Sequence, residues 1–101
     1  MANFGLPEHT LAIVRSILAD FPQVEKAILY GSRAKGNYLR GSDIDLTLLG
    51  AELDSNTLAA IARRLEESSI PYQVDLSLKA QIDNQNLLAH IDRVGVEFYA
   101  R

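Results

Sequence analysis

The 101-residue chain contains no cysteine. Disulfides and thiolate zinc sites are therefore excluded, and a reducing cytoplasm is compatible with the composition. No apolar run approaches the roughly 20 residues that a membrane-spanning helix needs, and no basic-plus-apolar leader opens the chain. The expected location is cytoplasmic, with no membrane partner. Nor is there an excess of positive charge. Ten Lys and Arg stand against thirteen Asp and Glu, for a formal net charge of −3. A protein that tracks along a duplex usually presents the opposite balance, so stable nucleic-acid binding is not expected. A nucleotide bound through metal ions is still allowed. No repeat, low-complexity run or linker is visible.

What is present is ordinary in bulk and pointed in detail. Hydrophobic residues make up 48% and charged residues 23% of the chain, as in a soluble globular domain. The length predicts one domain over 1–101, with 1–8 as a loose N-terminal arm around Gly5 and Pro7. Thr10 is placed to cap a helix over 11–19, with Leu11, Val14, Ile17 and Leu18 at helical spacing. Val24 to Tyr30 reads as a strand. Gly31-Ser32 is a turn, and Ser32 is placed to cap a short helical RAKG segment. A loop over 36–41 leads into a second strand over 42–49. Asp54 or Ser55 caps a helix over 54–68, a third strand covers 72–78, and a helix over 83–94 stops at Gly95. Val96 to Tyr99 closes the chain as a last strand. Alternating helices and strands predict an α/β (α+β) domain, one sheet with helices packed on it.

The stretch GSDIDL carries Asp43 and Asp45 one residue apart in an otherwise apolar strand. Strand residues two apart point to the same face, about 6–7 Å from each other. Two like charges so placed repel, and burial sharpens the repulsion, so a cation is expected between them. Asp75, between Val74 and Leu76, adds a third carboxylate if its strand neighbours that one. At intermediate dielectric each close pair costs about 4 kcal/mol. Divalent ions remove that cost, and three carboxylates can hold two metals about 3.5–4 Å apart. Hard oxygen donors suit magnesium. Gly31 and Ser32 follow a strand and open a helical turn, where outward amides can meet phosphate. Arg33 and Lys35 are expected as cations for the same anion. His9 and His90 stand isolated and read as surface or interface residues.

Gly31-Ser32, ten intervening residues and then Asp43-Ile44-Asp45 resemble the G-S-x10-D-x-D signature of the DNA polymerase β-like nucleotidyltransferase superfamily. The flanking LYGSRAKG and GSDIDL are similar to the minimal nucleotidyltransferase (MNT) proteins, small domains encoded beside a HEPN-domain protein. The resemblance extends through Asp75 to the closing LLAHIDRVGVEFY. It implies a mixed sheet of about four strands. It also implies Asp43, Asp45 and Asp75 as catalytic residues binding two Mg2+ ions, and Gly31, Ser32 and Arg33 at the nucleotide phosphates. By the same resemblance a nucleoside monophosphate, AMP from ATP, moves to a hydroxyl with release of pyrophosphate. The acceptor implied is a tyrosine of a partner HEPN toxin, with this chain as antitoxin of a type II or VII-like pair. The expected assembly is a hetero-oligomer, with a homodimer as the other option. Two alternatives stand beside this: a catalytically silent module that neutralises its partner by masking it, and transfer to a small molecule such as an aminoglycoside.

Overall fold

The computed structural model describes residues 3–101. Its elements are α1 (Glu8–Ala19), β1 (Lys26–Tyr30), α2 (Gly31–Lys35), β2 (Ile44–Leu49), α3 (Ser55–Glu67), β3 (Val74–Leu78), α4 (Gln85–Val94) and β4 (Val96–Ala100), with a 3-10 turn at Lys79–Gln81. The expected small α/β domain with a mixed four-stranded sheet is what forms. The strand order is β3-β2-β1-β4. β1 runs antiparallel to both β2 and β4, whereas β2 and β3 are parallel and joined through α3.

Period-two alternation sorts the central strands into two faces. Ile44, Leu46 and Leu48 on β2 lie beside Ala27 and Leu29 of β1 and beside Val74, Leu76 and Leu78 of β3. This face meets the apolar stripes of α1 (Leu11, Val14, Ile17, Leu18) and α3 (Ile61, Leu65) in the main core. The intervening residues, Tyr30, Asp45, Thr47, Asp75 and Ser77, form the opposite face, toward which α2 and α4 pack at the β1 side. Ser77 Oγ donates to Thr47 Oγ1 at 2.9 Å, so the fully buried Thr47 hydroxyl has a partner. A bulge in the β1–β4 pairing skips Phe98 and turns its ring into the core, against Phe4 and under the Arg15 guanidinium.

Several local expectations change. α1 begins at Glu8 behind Pro7, and Thr10 lies inside it, buried, rather than capping it. Pro7 supplies the extended backbone that starts the helix. The loose arm expected over 1–8 is, across its described part, tied down: Leu6 is 1% exposed, and Phe4 O accepts from Arg33. Ser32 lies within α2 and does not cap it. Asp54 does cap α3, accepting from Thr57 N at 2.8 Å, and Asn84 does the same for α4. Among the described residues no helix is long and apolar enough to cross a membrane.

Candidate functional site

The polar face of the sheet gathers the residues that the motif singled out. Asp45 pairs across the antiparallel ladder with Tyr30 and across the parallel ladder with Asp75. The three therefore form one row on three adjacent strands, with about 5 Å between neighbours. Asp43 lies one residue before β2, and both Asp43 and Asp75 are exposed. The sequence puts Asp75 on the face of Asp43 and Asp45 only if its strand neighbours theirs, and it does.

The electrostatics follow from this row. Burial pushes the Asp45 carboxyl above its ordinary range, and the negative charges of Asp75 and then Asp43 push it further, with His90 opposing. Burial likewise raises the Tyr30 hydroxyl. A hydrogen bond with Ser77 partly offsets this, while Asp75 and Asp45 add to it. Among the described residues the only salt bridges are Lys26–Glu97, Arg63–Glu67 and Arg64–Asp20, so no Lys or Arg pairs with the three aspartates. Among the same residues no three acidic or histidine side chains converge into a ready metal cage either. The expected convergence is met in face and register but not in closure. Three carboxylates with no fixed counter-charge repel one another, and their hard oxygens are the donor set that a divalent cation such as magnesium would draw together.

β1 ends at Tyr30, and the chain enters α2 through Gly31 at φ +76°. A Cβ on Gly31 would stand 2.2 Å from Asp45 Oδ2. Glycine is thus required twice, for the left-handed backbone and for the carboxylate lying against it. Ser32 follows, half-buried, and Lys35 is exposed at the end of the turn.

Arg33 does not stand where the sequence suggests. It is 2% exposed. Its Nε and one terminal nitrogen donate to Ser42 O at 3.0 and 2.8 Å, and its other terminal nitrogen donates to Phe4 O at 2.8 Å. A longer hydrogen bond reaches Arg40 O, and the guanidinium lies beside the rings of Tyr38 and Tyr72. A side chain so occupied has no free fork for a phosphate. Its work is to tie the 36–42 loop and the N-terminal segment to α2.

His90 is the site residue that the sequence does not announce. On α4, its Nε2 accepts the Gly31 N–H at 3.1 Å, and its ring stands edge-on to Tyr30. Gly31 and His90 are 59 residues apart, and a solitary histidine carries no spacing pattern that could reveal the pair.

A hollow of about 450 Å3 lies at the far ends of β2 and β3 among Leu48, Leu53, Leu78 and Lys79. The aspartates lie at the near ends of the same strands, Asp43 and Asp75 exposed and Asp45 half-buried.

Comparison with known proteins identifies the fold and the family. Residues 13–101 match the family described as polymerase beta, nucleotidyltransferase. The probable protein adenylyltransferase MntA of Haemophilus influenzae is 33% identical over 76 residues, which cover 74% of this chain and 67% of that one. A crystal structure of a toxin–antitoxin with AMP-PNP superposes with a TM-score of 0.72 at 26% identity, covering 94% of this chain and 75% of that chain. The tri-AMPylated Shewanella oneidensis HEPN toxin in complex with MNT antitoxin gives 0.68 at 22% identity, covering 93% and 72%, a likeness of fold. On its motif, its sheet and its match over nearly the whole sequence, the chain belongs to the polymerase beta nucleotidyltransferase family, as a minimal nucleotidyltransferase.

Proposed function

We propose that this nucleotidyltransferase moves AMP from ATP to a hydroxyl of a partner HEPN toxin and thereby acts as an antitoxin. The observation that carries the reading is the row of Asp45 and Asp75 on neighbouring strands, with Gly31 pressed against Asp45 and Asp43 two residues away. The 33%-identical relative is named a probable protein adenylyltransferase, which supports a protein acceptor. Accessibility is compatible with it. Asp43 and Asp75 are exposed, so an acceptor presented by another macromolecule can reach them.

In this reading Asp43, Asp45 and Asp75 hold two magnesium ions, whose contribution is to neutralise the triphosphate and the charge that develops on it. Ser32 faces the phosphates, Gly31, whose N–H is taken by His90, gives them close approach, and Lys35 is the cation beside them. The acceptor oxygen bonds the α-phosphorus, pyrophosphate leaves, and the hydroxyl proton passes to the Asp75 carboxylate. The protein's task is positioning and charge complementarity, since phosphoryl transfer asks little covalent work of it.

The test is label transfer. The protein is incubated with its partner toxin, magnesium and ATP labelled in the α-phosphate. Label is expected on the toxin with the wild type and not with Asp45→Asn. A folded wild type that binds and neutralises the toxin without transferring label refutes the enzymatic reading and leaves masking.

A further inference from the structure

His90 has a place in the geometry and none in the chemistry described so far. Its Nε2 accepts the Gly31 N–H at 3.1 Å. The edge-on packing with Tyr30 fixes the plane of the ring. Gly31 in turn is the residue whose missing Cβ makes room for the Asp45 carboxylate. A line of touching groups thus runs from α4 through His90 to the Gly31 amide, and from the Gly31 Cα to Asp45. Left-handed backbone followed at once by a helical turn is a conformation with few internal restraints. Here the restraint comes from a side chain on another helix, one that packs on both α2 and β1.

We propose that His90 is a positioning residue: by holding the Gly31 amide it fixes the spacing between the turn backbone and the Asp45 carboxylate in which nucleotide and metal are bound. This rests on nucleotide use at Gly31-Ser32, and the experiment separates the two. Three variants of the full chain are compared with the wild type: His90→Gln, His90→Asn and His90→Ala. The side-chain oxygen of Gln reaches roughly the place of Nε2, whereas that of Asn reaches roughly the place of Nδ1. Gln therefore restores the acceptor and Asn does not. Two readouts need no turnover: binding of AMP-PNP with magnesium, and exchange of the Gly31 amide proton by NMR. The kcat and KM of adenylyl transfer are measured beside them.

His90→Asn and His90→Ala are expected to weaken binding about tenfold or more and to raise KM, with fast exchange at Gly31, because the lost acceptor frees the turn. His90→Gln is expected to stay within about threefold of wild type with the amide still protected, since a neutral acceptor at the same point can replace the imidazole. Asn and Gln variants with equal affinity, or a His90→Ala protein that binds nucleotide as the wild type does, overturn the inference. Should His90→Ala not fold, the Asn and Gln pair still decides it. A wild type that binds no AMP-PNP overturns the nucleotide reading first, and this inference with it.

Discussion

Replacing Arg33 separates two roles that its position in the sequence makes equally credible. If it were a phosphate ligand, its removal would weaken nucleotide binding and leave the fold intact. In the structure its guanidinium donates to the carbonyls of Ser42, Phe4 and Arg40 at 2.8–3.3 Å and is 2% exposed. Arg33→Ala leaves those acceptors without a donor. The Arg40 carbonyl belongs to an exposed residue and rehydrates at little cost, but those of Ser42 and Phe4 belong to half-buried ones. At about 1–3 kcal/mol for each orphaned group, together with the forfeited cation–π attraction to the Tyr38 and Tyr72 rings, the loss comes to about 4 kcal/mol. That is a large part of the roughly 5–15 kcal/mol that holds a domain together. At this chain length it corresponds to a fall in Tm of roughly 15–30 °C. Arg33→Lys keeps the charge but not the planar fork, so it is expected to recover less than half of the loss. Urea titration with thermal melting measures the change, and nucleotide affinity is taken well below the new Tm. A Tm within a few degrees of wild type, together with a large loss of affinity, refutes the structural role.

Three further predictions concern the acids and their neighbour. Gly31→Ala places a methyl where Asp45 Oδ2 now lies and forces a non-glycine residue to φ +76°. It is expected to cost about 1–2 kcal/mol from backbone strain alone, seen in a melt, and to lose adenylyl transfer by more than the stability change accounts for. The folded-state pKa of Asp45 is raised above its ordinary 3.8, so its favourable contribution is full below that value and lost as pH rises through the folded one. Without magnesium, Asp45→Asn is therefore expected to melt higher than wild type at neutral pH, the difference shrinking in acid. Added magnesium should raise the wild-type Tm and leave that of the variant nearly unchanged. A neutral-pH Tm for Asp45→Asn below wild type contradicts the repulsion. Asp54 has the opposite sign. Its hydrogen bond from Thr57 N lowers its pKa, so its support for α3 is present above the ordinary carboxylate value and is lost as pH falls through the lowered one. Asp54→Ala should lower Tm at neutral pH and converge with wild type in strong acid, as a pH series of melts will show.

The strands and the three aspartates are legible in the sequence because their signals are local, whereas the row they form depends on the pairing of β2 with β3. Asp43, Asp45 and Asp75 stand among apolar residues in short runs, and period two then assigns their faces. Asp54 marks its helix in the same way. What is not legible depends on partners far along the chain. Arg33 sits two residues after Gly31 and looks like any cation beside a phosphate turn. Only the carbonyls of Phe4, Arg40 and Ser42, delivered by two loops, make it a tie. The start of α1 is hidden because Thr10 suits a cap chemically, while Pro7 sets the extended backbone first. The buried Leu6 and the bonded Phe4 carbonyl likewise reflect tertiary packing that composition cannot register.

The parallel pairing of β2 with β3 has a consequence for how the protein comes into being. Asp45 and Asp75 are separated by the whole of α3 and meet only when that long-range ladder closes. Non-local pairings of this kind form late, because loop closure must precede any gain from them. A nascent or partly unfolded chain therefore carries the Gly-Ser turn and two of the acids without the third. On the proposed mechanism, competence to transfer arrives only with the completed sheet, so label transfer doubles as a stringent gauge of whether folding has finished.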